Sequence, residues 1–191
     1  MIAHLRKYIW YKFLNSLFLG LSTGSVFILY TPLKPSIYSL GGIFLALGLL
    51  VVAKFYASMM NRQIFFATTL LVELIVLCMV CYFLIFSYGY MSALLIYIGY
   101  QITFIFGSYL VRAETLSLAK AKAMGLVDVA KQKGYLIGMV LAYGFYKILE
   151  FIGIADKQEQ VYALHFILLI LQIAIIILVI QAFTCKDLKT I

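Results

Sequence analysis

Six stretches of the chain are almost continuously apolar: 11–30, 36–57, 64–86, 90–111, 124–149 and 162–184. Crossing ~30 Å of hydrocarbon at ~1.5 Å per residue takes ~20 residues in a helix, and each stretch is of that order. Composition agrees, with 65% hydrophobic residues, 12% charged residues and a mean hydropathy of +1.08. An ordinary soluble domain is about 45–50% apolar and about 25% charged. This chain is too apolar to close a water-facing surface, and too apolar to stay disordered. The runs lack period-two alternation, so they predict helices rather than barrel strands. The expected fold is all-α: a polytopic membrane protein with one six-helix domain over residues 1–191. No small-residue cleavage site follows the first apolar run, which is therefore expected to be a retained span.

Orientation follows from the basic residues. Of the fifteen Lys and Arg, only Lys34, Lys147 and Lys157 fall on the side opposite the termini. Both termini are thus expected to be cytoplasmic, in a cell membrane such as the bacterial inner membrane. The net charge of +8 then reads as an orientation signal rather than a nucleic-acid surface. So strong a bias fixes one orientation, and self-association is expected to be parallel. The connection RAETLSLAKAKA from Arg112 contains no helix breaker, so the fourth helix is expected to run on past the membrane.

Ionisable groups at membrane depth default to functional hypotheses because they cost at least ~2.5–3.5 kcal/mol at a helix centre. Glu73 alone qualifies, with Thr69 one turn earlier on the same face. It is either a proton-coupling carboxylate or a structural hydrogen-bond partner of a neighbouring helix. Tyr97, Gln101, Phe104 and Ser108 recur at helical spacing along the fourth stretch, and Asn15 and Ser22 along the first. They are candidates for a cavity wall, against the plainer reading of inter-helix hydrogen bonds. Asp128 is spaced to pair with Lys131 and Gln132. Arg112 and Glu114 read as an interfacial anchor and a loop charge, and His165 and Gln172 as packing or interfacial contacts.

No enzyme, cofactor or metal signature appears, and His4 and His165 are too far apart to suggest a ligand cluster. Cys78 and Cys81 have C-x-x-C spacing, with Cys185 the only other cysteine; a thiol redox role is the third-ranked reading. Small residues fall at Gly134, Gly138, Ala142 and Gly144, suited to close helix packing.

The fifth stretch reads KAMGLVDVAKQKGYLIGMVLAYGF, with Lys120 and Lys122 before Gly125 and a Gly134-x-x-x-Gly138 run. It resembles the fifth helix of the major facilitator superfamily, whose motif G-x-x-x-G-P-x-x-G-G is matched here in part, with Met139 at the proline and Ala142-Tyr143 at the final glycine pair. The turn KFYASMMNRQ keeps only Arg62 of that family's G-x-x-x-D-R-x-G-R. The resemblance implies one half of a twelve-helix transporter, with the first and fourth helices lining a cavity. It implies pairing with a second copy or a related six-helix partner, a small solute as substrate, and a gating contact at the Arg62 turn. Arg112, Asp128 and Lys131 are further cytoplasmic gate candidates by their own charge, against the plainer reading of a headgroup-level helix start with snorkelling lysines. The competing expectation is an integral-membrane accessory or assembly subunit without transport.

Overall fold

The computed structural model describes residues 2–184; Cys185, Lys186, Asp187 and Lys189 lie outside them. Every regular element among the described residues is helical. The order is α1 (Leu5–Leu29), α2 (Pro35–Lys54), α3 (Tyr56–Met59), α4 (Arg62–Ile85), α5 (Tyr90–Ile105), α6 (Gly107–Leu118), α7 (Ala121–Phe151) and α8 (Lys157–Phe183). The starts obey local chemistry. Pro35 opens α2, where its missing N–H costs nothing. The Asn61 side chain accepts from the N–H of Ile64, and that of Asp156 from Gln158 and Glu159, satisfying amide groups in the first turns of α4 and α8.

Five helical segments are long and apolar enough to cross a membrane: α1, α2, α4, the combined α5–α6 segment and α8. The stretch 124–149 lies on α7, which is 31 residues long but carries Lys122, Asp128, Lys131, Lys133, Lys147 and Glu150 towards its ends. It stands apart from those five. The fourth stretch departs from the expected uninterrupted helix at two places. Its ladder breaks at Phe106, and the chain turns again at Ala119, whose φ of 51° is left-handed. Neither break is marked by proline; Gly107 follows the first.

The neighbours run in a row. α7 packs along α1, α1 along α8, α8 along α4, α4 along α5, and α5 along α2. The pairing of α1 with α7 is the most extensive, and glycine makes it so. A Cβ on Gly134 would meet the Phe13 carbonyl, one on Gly138 the Leu17 carbonyl, and one on Gly20 the Tyr135 carbonyl. Ala142 is buried one turn on. Such small residues let two backbones touch, which gives van der Waals contact where lipid offers no hydrophobic drive.

The main core fills the space between α1, α4 and α8, with Tyr8, Phe65 and Phe183 forming an aromatic knot at ring distances of 5.1–6.5 Å. The outside is apolar as well. Phe27, Phe44, Ile170 and Phe151 are exposed, and α2 buries only Val52. That outer surface is matched to hydrocarbon rather than to water.

Candidate functional site

Two buried carboxylates are held by the same face of α1. Glu73, 2% exposed on α4, accepts from the Tyr11 hydroxyl and the Asn15 amide, both at 2.9 Å on Oε1. Gln172 on α8 donates to Oε2 at 2.8 Å and to the Glu73 carbonyl at 2.9 Å. Thr69 shares the face, but its hydroxyl donates to the Phe65 carbonyl. All three side chains that reach the Glu73 carboxylate carry an O–H or N–H that donates to it. The Gln172 Oε1 is buried and has no partner among the described residues.

Glu114, 6% exposed on α6, gathers the second cluster. The Tyr8 hydroxyl donates to its Oε2 at 2.8 Å, Lys12 reaches the same oxygen at 2.5 Å, and Lys131 of α7 bonds Oε1. The expectation of a loop charge at Glu114 is therefore corrected. The left-handed turn at Ala119 ends α6 soon after Glu114 and lets α7 return alongside, bringing Lys131 to it. Asp128 also contacts Lys131, at 3.4 Å, from an exposed position.

α1 serves both clusters by alternation. Tyr8 and Lys12, four apart, face Glu114; Tyr11 and Asn15, four apart, face Glu73. The Tyr8 and Tyr11 rings meet edge to face at 5.5 Å, and the Lys12 ammonium sits over both, at 5.4 and 5.2 Å. The two acids are thus linked through one continuous group of side chains. Replacing Glu114 by Gln leaves two ammonium groups facing a neutral amide. We expect it to destabilise the protein by about 3 kcal/mol, read as thermal unfolding in detergent. The double variant Glu114→Gln/Lys12→Met is expected to regain part of the loss. A single variant as stable as the parent would show that the cluster contributes nothing.

The remaining gate candidates do not join this cluster. Arg62 donates to the Phe183 carbonyl at 2.6 Å, capping the end of α8. Arg112 lies over the Tyr56 ring at 5.7 Å from an exposed position.

Of the cavity candidates, Ser22, Tyr97 and Gln101 meet in a groove of about 400 Å³ between α1 and α5, joined by Thr23, Tyr30 and Tyr135. Asn15 is turned to Glu73 instead. Ser108 lies beyond the break at Phe106 and does not line the groove, so the expected four-residue stripe is cut short. Gln101 Oε1 is buried without a partner among the described residues.

The sequence marks Gln172 only as a packing or interfacial contact and does not mark Tyr11, whereas both bond Glu73. A glutamine in the middle of an apolar span, in a chain with one intramembrane acid, was the available signal for the first; nothing singles out Tyr11 among fifteen tyrosines. His165 packs on Phe83 at 4.2 Å between ring centres and bonds the Val161 carbonyl. Cys78 and Cys81 are free thiols, and Cys78 is exposed. No three His, Cys, Asp or Glu side chains converge to hold a metal ion among the described residues.

Comparisons with protein-family models, characterised proteins and solved structures find no match for this chain. What can be said of its class rests on its own geometry. It is an all-helical protein with five helical segments able to cross a membrane and two internal carboxylate clusters.

Proposed function

We propose that the chain is a half-size secondary transporter, similar to one half of a major facilitator protein, that works after pairing with a second six-helix unit. In this reading α7 is the remaining span, both termini are cytoplasmic, and the membrane is the cell membrane. The observation that carries the reading is the pattern of helix neighbours. Take the apolar stretches in order and exchange the first three with the last three. The pairing of α1 with α7 becomes that of α5 with α2, α1 with α8 becomes α5 with α4, and α4 with α8 maps onto itself. All the extensive pairings are preserved. Because the stretches exchanged are three crossings apart, the two triplets run in opposite directions. Inverted three-helix repeats are nested in each half of such transporters, and the neighbour pattern supports the reading on that ground.

The groove supports the same reading. Unpaired, it presents hydroxyls and an amide to hydrocarbon, where polar groups need partners. A second unit facing it, either a parallel copy or a related chain, would enclose a water-filled cavity for a small solute.

The test is reaction with a membrane-impermeant, water-soluble thiol reagent. In a background with Cys78, Cys81 and Cys185 replaced by Ser, Gln101→Cys is expected to be labelled in native membranes, while Ile170→Cys on the outer face is not. Gln101→Cys that resists the reagent would favour the accessory-subunit reading, which needs no hydrated cavity.

A further inference from the structure

We propose that Lys12 is a counter-ion shared by the two buried acids, held by Glu114 while Glu73 carries a proton and passing to Glu73 when that proton is lost. Such an exchange needs only the contacts among α1, α4, α6 and α7, and it holds whether or not the chain transports.

The two acids are unequally served. Glu114 has two ammonium groups, Lys12 at 2.5 Å and Lys131, together with the Tyr8 hydroxyl at 2.8 Å. Asp128 also draws on Lys131, but at 3.4 Å and from an exposed position, where an ion pair contributes little. Glu73 has three neutral donors and makes no ion pair among the described residues. Ionised in that setting it would be a buried charge without a counter-charge, an arrangement that proteins avoid. Glu114 can spare one cation, and Glu73 lacks one.

Lys12 lies where it can serve either. Its ammonium is 5.2 Å from the centre of the Tyr11 ring, and the Tyr11 hydroxyl is bonded to Glu73. Lys12 is also the cation whose charge acts on Glu73. Its flexible stem lets the ammonium swing without any movement of α1. The elements packed on α4 offer no competing charge. α5 carries none, and α8 presents Gln172 at this level, with Lys157 and Glu159 at its far end. His165 of α8 lies seven residues away and is bonded to the Val161 carbonyl. On α6, Arg112 is over the Tyr56 ring, and Arg62 at the start of α4 is bonded to the Phe183 carbonyl.

The contacts of Glu73 have room for the proton. Oε1 accepts two bonds, as a carbonyl oxygen does, and Oε2 accepts one. A proton on Oε2 is compatible with all of them. When it leaves, one positive charge is lost beside Glu73, and the Lys12 ammonium restores it. Glu114 keeps Lys131 and the Tyr8 hydroxyl. A proton at membrane depth thus decides whether α1 holds α6 through Lys12.

The test follows the infrared carbonyl stretch of protonated Glu73 in vesicles of the full chain from about pH 6 to pH 9. Glu73→Gln assigns the band by its loss. Lys12→Met is expected to move the midpoint of the band up by about one pH unit or more, about tenfold in proton affinity. Lys12→Arg, which keeps the charge, is expected to restore the parent midpoint. Glu114→Gln frees Lys12 and is expected to lower the midpoint by about one unit. In the Lys12→Met background the same change is expected to lose most of its effect. That non-additivity is what a shared cation produces, and a packing role for Lys12 would not move a titration. A Glu73 band that does not change across the range would overturn the proposal. So would an unmoved midpoint in Lys12→Met, or equal shifts by Glu114→Gln with and without Lys12. If Glu114→Gln alone does not elute as a folded protein, Lys12→Met and Lys12→Arg decide the matter by themselves.

Discussion

Gly138→Leu is expected to lower the unfolding temperature in detergent by roughly 10 °C, the equivalent of about 3 kcal/mol for a chain of this size. The reasoning is steric. A Cβ at Gly138 already collides with the Leu17 carbonyl and crowds the Cα of Gly20, and neither belongs to a side chain that could swing away. The two helices would have to separate, and their pairing is the most extensive in the molecule. Gly144→Leu is the matched control, on the same helix with nothing within 4 Å of its added Cβ. It is expected to unfold with the parent. If the two substitutions behave alike, close backbone approach is not what joins α1 to α7.

Glu73 carries the second large effect, and the choice of substitution separates two roles. Glu73→Leu leaves the Tyr11 hydroxyl and the Asn15 and Gln172 amides without their acceptor. Inter-helix hydrogen bonds in membranes average about 0.6 kcal/mol each, so the three together amount to about 2 kcal/mol. Glu73→Gln keeps an acceptor for Tyr11 and Asn15 but sets its own N–H₂ against that of Gln172. Gln172 cannot rotate to relieve this without giving up its bond to the residue-73 carbonyl. About 1 kcal/mol is expected there. Folded Glu73→Gln then allows a direct reading of proton carriage. Between about pH 6 and pH 9, where ordinary carboxylates stay ionised, infrared difference spectra of the parent in vesicles are expected to show the carbonyl stretch of a protonated carboxylic acid, and the variant to lack it. Identical spectra would leave Glu73 as a structural hub without a proton to give.

How much of this was legible beforehand varies with the range of the interaction. Apolar runs and their length are local properties, and they sufficed to anticipate an all-helical chain able to cross a membrane. Gly134 and Gly138 could be singled out because small residues four apart lie on one face of a helix. Glu73 stood out because it is the one charge inside an apolar stretch. Its pairing with Tyr11, Asn15 and Gln172 did not. Tyr11 and Gln172 sit 62 and 99 residues away, and only the packing of α1 against both α4 and α8 brings them together. Glu114 failed for a related reason. Judged by its own surroundings it sits among loop-like polar residues, while the groups that define it come from 106 residues before and 17 after. The break at Phe106 moved Ser108 off the groove without leaving a proline to announce it. Residue types with strong local preferences were readable, and those whose role comes from distant neighbours were not.

The alternation on α1 makes that helix a shared axle. Its two sets of grips are offset by three residues, so a roll about its own axis cannot release Glu114 while leaving Glu73 engaged. Any motion that loosens one acid must disturb the other, without a relay of intermediate contacts to carry the message. One inserted residue between Tyr11 and Lys12 would tear each grip in half, turning Lys12 and Asn15 about 100° away from the tyrosines that now work beside them.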